Sequence, residues 1–330
     1  MTPSRVTRRQ FSTGAILAAA ATLALPAVAR AQNYPNRPIR FIIPFAPGGV
    51  ADITSRLAVE KLGEKLGQRF VVENQPGPGG IAAARTVLSA APDGYTLGLV
   101  TNGTSISVAI YNALPFDPVK EFLPISMLGY FDLVFATNGE AGLRTLADFI
   151  KRAREQPGKL NVGTINVGGT QNLAAELFKS SARLDFQIIP YRGTPEIVIA
   201  LLRNDIHLMV DFYAPMKGAL LDRKIIPVAT SGVARVSYLP EVPTVSEAGV
   251  PGYDVTSWNG IFAPQATPLP IVDRLNRALR EILVIPDVKT RYVELGVEAK
   301  ASSPEELMGR ISGDIGKWAA VIQKAGIPKL

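Results

Sequence analysis

The chain has 330 residues, of which 47% are apolar and 19% charged, an ordinary globular composition with room for two domains. Its formal charge of +7 includes four arginines within residues 1–31, which contain no Asp or Glu. Without them, 31 basic residues stand against 28 acidic ones, so the basic balance is no argument for nucleic-acid binding. The chain has no cysteine, which excludes disulfides and a lipid anchor on an N-terminal cysteine.

Residues 1–31 have the pattern of a secretory signal peptide. Three arginines precede an apolar stretch over residues 14–28, and Ala29-Arg30-Ala31 is a small-x-small cleavage signal. Arg8-Arg9 resembles the twin-arginine motif, but Ser12 stands where an apolar residue is preferred, so the general export route stays open. We therefore expect export to the periplasm and removal of this segment near its end. No later window approaches the length of a membrane span, so the mature form is expected to have no membrane anchor.

From residue 38 onward, short apolar runs alternate with amphipathic segments. The runs predicted to be strands are 39–44, 70–73, 95–100, 122–128, 133–137, 161–163, 186–190, 206–210, 225–229 and 254–263. The segments predicted to be helices are 53–66, 81–90, 143–156, 171–181, 194–202, 267–282, 287–295 and 304–325. Repeated strand–loop–helix units are typical of an α/β fold with mostly parallel sheets.

Polar or glycine-rich segments recur where predicted strands end. They are residues 45–52, 101–105, 164–170 and 191–194, together with Asp211. In open α/β sheets, ligands bind at this edge. Two of the segments fall in the first third of the chain and three in the middle, which predicts two domains that face each other across a cleft.

The first segment joins a strand to a helix through Gly48 and Gly49. Such a turn directs backbone N–H groups and a helix N-terminus at one point, which favours an anion. Glycines allow a positive φ and leave no Cβ in the way of a ligand, although tight packing after the first strand is an equal alternative. The candidate ligand contacts here and after the third strand are Phe45, Ala46, Pro47, Gly48, Gly49, Asp52, Thr101 and Asn102.

The segment 164–170 is a candidate for the opposite side of the cleft. Neutral donors beside a helix start can hold a carboxylate without a buried cation, whereas the alternative is ordinary helix capping by Thr170. The candidate contacts here are Thr164, Asn166, Gly168, Thr170 and Gln171. We also expect Thr194 to be the N-cap of the next helix, with Pro195 as its first residue.

Three further side chains have open alternatives. Arg192, beside Gly193, could clamp a carboxylate in a bidentate manner, or be a surface charge or a latch between lobes. Asp211 would repel a second carboxylate but could accept from an ammonium, a hydroxyl or backbone N–H groups, with a structural acceptor as the other interpretation. Trp258 could line the cleft or belong to the core.

The sequence does not indicate catalysis. His207 is the only histidine and lies in an apolar strand pattern, where a structural role is expected. Zinc sites need several Cys or His ligands, and the chain has neither a Gly-x-Ser-x-Gly elbow nor a phosphate loop ending in Gly-Lys-Ser/Thr. We predict a protein that is not an enzyme, with no catalytic residue, metal site or cofactor.

Seven motifs in order resemble the extracytoplasmic solute receptors of tripartite tricarboxylate transporters, the Bug family. They are Pro44-Phe45-x-x-Gly48-Gly49-x-x-Asp52, Val71-Val72-Glu73-Asn74-x-Pro76-Gly77-x-Gly79-Gly80, Ala91-Pro92-Asp93-Gly94-Tyr95-Thr96-Leu97, Pro157-Gly158-Lys159-Leu160-Asn161, Pro190-Tyr191-Arg192-Gly193, Leu239-Pro240-x-Val242-Pro243-Thr244-x-x-Glu247-Ala248-Gly249 and Ala263-Pro264-x-x-Thr267-Pro268. They extend from about residue 34 to the C-terminus.

The resemblance implies a type II periplasmic-binding-protein fold, with two α/β lobes around a ligand cleft and two crossovers near residues 134 and 254. The expected limits are residues 32–133 for the first part of lobe 1, 134–254 for lobe 2 and 255–330 for the C-terminal return to lobe 1. The implied function is capture of a small organic carboxylate by a monomeric periplasmic protein and its delivery to a membrane permease. A sensory receptor is the alternative, and an exported enzyme on the same fold is a further one.

The second lobe departs from the pattern of the family. Thr164-Ile165-Asn166 replaces the usual Ser-Ser-Gly, and Asn172 replaces a common His. Arg192 replaces a Lys, and His207 stands where Asp is common. The ligand specificity of that lobe therefore does not carry over from the family.

Overall fold

The computed structural model describes residues 34–139, 142–165 and 167–330. The predicted signal peptide and its cleavage site lie outside the described residues. Within these ranges, no helix is both long and apolar enough to cross a membrane.

The described residues form alternating strands and helices. The strands are β1 (Ile39–Ile43), β2 (Phe70–Asn74), β3 (Thr96–Thr101), β4 (Phe122–Thr137), β5 (Asn161–Ile165), β6 (Gln187–Tyr191), β7 (Leu208–Phe212), β8 (Ile226–Thr230), β9 (Thr256–Pro264) and β10 (Glu298–Ala299). The α-helices are α1 (Val50–Leu66), α2 (Ile81–Leu88), α3 (Asn102–Ile110), α4 (Pro118–Glu121), α5 (Leu146–Glu155), α6 (Thr170–Ser181), α7 (Thr194–Leu202), α8 (Tyr213–Leu221), α9 (Leu269–Ile282), α10 (Pro286–Glu294) and α11 (Pro304–Ala325).

Two groups of parallel strands are joined by long antiparallel strands. The strand order is β2-β1-β3-β9-β4-β7-β5-β6, with β8 and β10 also paired to β4. β1, β2 and β3 are parallel, as are β5, β6 and β7, whereas β4 and β9 run antiparallel to their neighbours. This arrangement confirms the predicted α/β fold with two lobes.

β4 is the first crossover between the lobes. It pairs with β9 as far as Asp132, and with β7 and β8 from Leu133 onward. The prediction of two separate strands here was wrong. Residues 129–132 carry a glycine and mixed side chains, but pairing with β9 keeps them extended, and the break expected near Gly129 is a local shift of register.

The segment after β3 also differs from prediction, because helix α3 begins at Asn102 where a loop was expected. α3 and the C-terminal helix α11 connect the two lobes. Leu307 and Ile311 of α11 pack in the first-lobe core, whereas Trp318 packs in the second-lobe core together with Ile106 of α3. These contacts bring the N-terminal half of α3 next to the start of α6.

Candidate functional site

The first candidate loop comprises residues 45–49, here named the first Gly-Gly loop, between β1 and α1. Gly48 has φ +92°, a left-handed conformation that favours glycine. Gly49 is the N-cap of α1, with φ −79° and ψ 166°, and no side chain caps this helix. The residues of the loop are exposed, so the first N–H groups of α1 are open to a ligand.

Asp52 holds this loop in place from inside the protein. Its carboxylate accepts from Gly48 N at 3.0 Å, Arg56 Nε at 2.9 Å and Asn74 Nδ2 at 2.8 Å. Asn74 Nδ2 also donates to the carbonyl of Phe45 at 2.9 Å. Burial raises the pKa of Asp52, but the hydrogen bonds from Arg56, Asn74 and Gly48 outweigh it and hold the pKa below its usual value. The carboxylate thus positions the loop.

The second lobe repeats the same turn between β5 and α6. Residues 167–169, here named the second Gly-Gly loop, contain Gly168 at φ +77°, and Gly169 is the N-cap with φ −75° and ψ 163°. Gly168 N donates to Asn172 Oδ1 at 3.1 Å, just as Gly48 N donates to Asp52. Each lobe therefore presents an uncapped helix N-terminus at the carboxyl edge of its parallel strands.

The predicted N-cap at Thr194 was wrong, and the alternative interpretation of Thr170 as a helix cap does not hold either. Gly169 and Gly193 occupy the N-cap positions of α6 and α7, and each threonine is the first helical residue. The reason is tertiary, because both hydroxyls bond to other elements: Thr170 Oγ1 accepts from Asn102 Nδ2 at 3.1 Å, and Thr194 Oγ1 donates to a buried carboxylate. The start of α6 is left without a side-chain cap.

Several candidate side chains are engaged within the protein. Thr101 caps α3 by accepting from Gly103 N at 3.1 Å. Asn102 is fully buried, and its Oδ1 accepts from Trp318 Nε1 at 2.7 Å. Thr164 is also buried. The bond from Asn102 Nδ2 to Thr170 joins α3 to the start of α6. Candidate Asn166 lies outside the described residues.

Asp211 is fully buried where β7 meets the starts of α6 and α7. Its carboxylate accepts from the Thr194 hydroxyl at 2.5 Å, Gln171 Nε2 at 3.0 Å and Phe212 N at 2.8 Å. Burial raises the pKa of Asp211, and the three donors only partly oppose the rise. Of the two interpretations, the geometry supports that of a structural acceptor, which fixes Gln171 beside the second Gly-Gly loop.

Arg192 is exposed and precedes Gly193, the N-cap of α7. Its backbone N–H donates to Glu196 Oε2 at 3.3 Å. Within the described ranges, its guanidinium makes no hydrogen bond or ion pair, so it is not a latch between lobes there. It remains available to a ligand near the start of α7.

Of the two interpretations of Trp258, the structure supports burial in the core and not a place in the lining of the ligand cleft. The side chain is fully buried, and its Nε1 donates to Asp314 Oδ2 of α11 at 2.6 Å. His207 has the expected structural role, because its Nδ1 accepts from Asn161 N at 3.1 Å. Burial lowers the pKa of His207.

Sequence reasoning missed Arg56, Asn74 and Asn172 as positioning residues. The sequence does carry a signal for the two acceptors of the loop N–H groups, Asp52 and Asn172. Gly-Gly-x-x-Asp follows β1, and Gly-Gly-x-x-Asn follows β5. Only the fold shows that both patterns form the same turn at a strand end. Nothing local in the sequence connects Asn74 with a loop that lies about 29 residues before it.

Asp211→Asn is expected to lower the free energy of unfolding by about 1–3 kcal/mol. Asp211 is the acceptor in all three of its hydrogen bonds, so the amide nitrogen of Asn, itself a donor, would face one of the three donors. Urea denaturation at neutral pH measures the change. Exposed Asp222→Asn is the matched control and should have little effect, and equal stabilities of the two variants would contradict the proposed packing.

The raised pKa of Asp211 predicts a pH dependence of stability. The folded state holds this proton more tightly than the unfolded chain, so the stabilisation is complete below the unfolded pKa of about 3.9 and is lost as pH rises through the folded pKa. The same denaturation series at several pH values tests this. The wild type should lose stability with rising pH over that interval, and Asp211→Asn should lack this component of the slope.

Two groups of parallel strands joined through β4, and two Gly-Gly loops with uncapped helices, are the features of a solute-binding receptor of the type II periplasmic-binding-protein fold. The model of the family described as "Tripartite tricarboxylate transporter family receptor" matches residues 54–327, and the chain belongs to this family. Protein BugT of Bordetella pertussis is 29% identical over 93% of this chain and 94% of its own.

Solved structures agree with this assignment. The structure titled "R. palustris Rpa4515 with adipate" has a TM-score of 0.78 at 31% identity, covering 90% of this chain and 100% of its own. MatC from Rhodopseudomonas palustris, with bound malate, has a TM-score of 0.73 at 31% identity, covering 88% of this chain and 100% of its own. Family and neighbours are binding proteins, so the role is solute binding, and the sensory and enzymatic alternatives are not favoured.

Proposed function

We propose that this protein binds a small organic dicarboxylate between the two Gly-Gly loops and delivers it to the permease of a tripartite transporter. The observation that carries the proposal is the repeated turn, in which two uncapped helix N-termini lie at the carboxyl edges of the two lobes. Such N-termini bind anions through backbone N–H groups and the helix dipole. The adipate and malate of the two neighbours are small dicarboxylates, which agrees with this chemistry.

One carboxylate of the ligand is assigned to the two Gly-Gly loops and the other to Arg192 of the second lobe. Asp52 and Asn172 keep the N–H groups of the loops oriented before the ligand arrives. Preorganised donors lose little entropy on binding. Arg192 supplies an exposed guanidinium for the second carboxylate, a group that arginine binds in bidentate geometry.

Hinge closure around the ligand provides the signal for delivery. We assign residues 32–133 and 255–330 to lobe 1 and 134–254 to lobe 2, in a monomer. The change of partner of β4 between Asp132 and Leu133 supports the first limit. The ligand shifts the lobes toward closure by its greater affinity for the closed form. The pattern of residues 1–31, with the family assignment, supports export to the periplasm.

Native mass spectrometry of the purified protein, followed by isothermal titration with malate, adipate and related acids, tests the proposal. A bound dicarboxylate with one-to-one stoichiometry is expected. Absence of binding by every acid, with folded protein verified by circular dichroism, would overturn it.

Arg192→Gln is expected to weaken dicarboxylate binding by about tenfold to a hundredfold, the loss of one charge-assisted contact. Binding of a monocarboxylate of equal chain length should change little, because only the second carboxylate contacts the guanidinium. Isothermal titration of both ligands measures the difference. Exposed Arg203→Gln is the matched control, and an equal loss for both ligands would contradict the assignment.

A further inference from the structure

Gln171 lies between the two groups that are assigned to the ligand carboxylates. It is the second residue of α6, just after the second Gly-Gly loop. Its Nε2 donates at 3.0 Å to Asp211 Oδ1, near the carboxyl end of β7. The same carboxylate accepts from the hydroxyl of Thr194, the first residue of α7. The amide of Gln171 is therefore held between the start of α6 and the start of α7, which Arg192 precedes.

Asp211 fixes the orientation of this amide. Asp211 Oδ1 also accepts from the backbone N–H of Phe212 at 2.8 Å, and a backbone N–H can only donate. A proton on the carboxyl group belongs on Oδ2, because the facing hydroxyl of Thr194 can accept as well as donate. Oδ1 is thus an acceptor in both protonation states, and the atom of Gln171 that faces it is the donor, Nε2.

The other amide atom, Gln171 Oε1, remains an acceptor that is open to solvent. Among the residues that the structure describes, it has no hydrogen-bond partner, and it is not one of the buried polar atoms. The sequence pattern offers Gln171 as a neutral donor to a carboxylate, but the structure uses that donor inside the protein. A ligand carboxylate placed against Oε1 would be repelled, because both groups carry negative charge on oxygen.

The other groups assigned to the ligand are all donors. Both Gly-Gly loops offer backbone N–H groups, and Arg192 offers the N–H groups of its guanidinium. A dicarboxylate with its ends on these donors brings the carbon chain between its carboxylates past Gln171. A bare CH₂ group at this point leaves Oε1 without a partner, whereas a hydroxyl or an ammonium group can donate to it.

We propose that Gln171 is a specificity-determining residue, whose Oε1 accepts a hydrogen bond from a hydroxyl or ammonium group next to one carboxylate of the ligand. This specificity rests on the function proposed above and narrows the ligand to 2-hydroxy and 2-amino dicarboxylates. The two groups share the role of donor. The ammonium also brings a positive charge toward the carboxylate of Asp211, which lies behind the amide.

Isothermal titration of the mature protein with succinate, and with each enantiomer of malate and of aspartate, tests the inference. These acids have the same carbon chain and differ in the group next to one carboxylate. At least one substituted acid should bind about threefold to tenfold more tightly than succinate, the effect of one added hydrogen bond. A gain with malate alone would identify a hydroxyl as the donor, and a gain with aspartate alone an ammonium.

The possible failures are distinguishable. Substituted acids that bind no more tightly than succinate, or that do not bind where succinate or adipate binds, would overturn the role of Gln171 and leave the dicarboxylate site in place. Absence of binding by all of these acids, with folded protein verified by circular dichroism, would overturn the proposed function together with this specificity.

Gln171→Met is expected to remove the preference. Methionine has a similar length but only a weak acceptor, so the preferred acid should lose about threefold to tenfold and bind no better than succinate. The affinity for succinate should change less than about threefold, which verifies that the site is formed. Gln187→Met is the matched control, because Gln187 is exposed at the opposite end of the parallel strands, where β6 begins. Equal losses for both acids would show a merely structural role and contradict the assignment.

Discussion

Gly49→Val is expected to weaken dicarboxylate binding strongly while the fold stays intact. A Cβ at Gly49 meets no atom within 4 Å, and its φ of −79° suits any residue. The valine side chain would therefore occupy the approach to the first N–H groups of α1, where the carboxylate binds. Crowding of this kind costs about 1–3 kcal/mol, which corresponds to a loss of affinity of about fivefold to more than a hundredfold.

The stability of Gly49→Val should change little. Valine is a poorer N-cap than glycine by about 1 kcal/mol, which lowers the Tm by a few degrees. Isothermal titration and thermal denaturation, with Gly49→Ala as an intermediate, measure both effects. Gly313→Val is the matched control, because Gly313 is also exposed and its Cβ also meets open space. Wild-type affinity in Gly49→Val would mean that the glycine only serves packing.

Asp52→Ala is expected to weaken both the fold and the binding of ligand. The substitution leaves Gly48 N, Arg56 and Asn74 without their shared acceptor. Gly48 and Arg56 are exposed and Asn74 is half-buried, so water can partly replace the carboxylate and each lost hydrogen bond costs about 0.5–1.5 kcal/mol. We expect a destabilisation of about 2–4 kcal/mol on this basis. The affinity for dicarboxylate should fall at least tenfold, because the first Gly-Gly loop loses its fixed orientation.

Asn172→Ala provides the internal comparison on the opposite lobe. Asn172 accepts from Gly168 N, whereas Asp52 also forms an ion pair with Arg56, so removal of Asn172 should destabilise the protein less than Asp52→Ala. Urea denaturation and isothermal titration on the same samples separate stability from binding. Full affinity in Asp52→Ala would show that the loop keeps its geometry without the carboxylate, contrary to the positioning role assigned here.

Much of the fold could be predicted from local patterns. The apolar run at β1 and the amphipathic segment of α1 carry their periodicity in the sequence. The continuity of β4 could not be predicted, because Gly129 and Tyr130 remain extended through pairing with β9, about 130 residues away in the chain. Propensity is a weak guide wherever partners distant in sequence supply the hydrogen bonds.

The residues of the candidate site also fall into two groups, those that a local pattern reveals and those whose role depends on contacts with distant segments. The exposed loop residues Gly48 and Gly49 could be proposed from the sequence because their effect is local, a permitted φ and a missing Cβ. Thr101, Asn102 and Asp211 were also found at strand ends, but the structure shows their side chains bonded within the protein. A sequence pattern locates a polar residue near an edge, whereas the direction of its side chain depends on packing.

By itself, the sequence determined the α/β class, the order of most elements and the membership of a receptor family, because periodicity and turn residues act over short distances. Only the tertiary structure decided which polar groups remain free for a ligand. It buried Asp52 as a support of the first Gly-Gly loop and Trp258 in the core beside Asp314. The physical reason is that hydrogen-bond satisfaction and burial depend on contacts between distant segments, which no local pattern encodes.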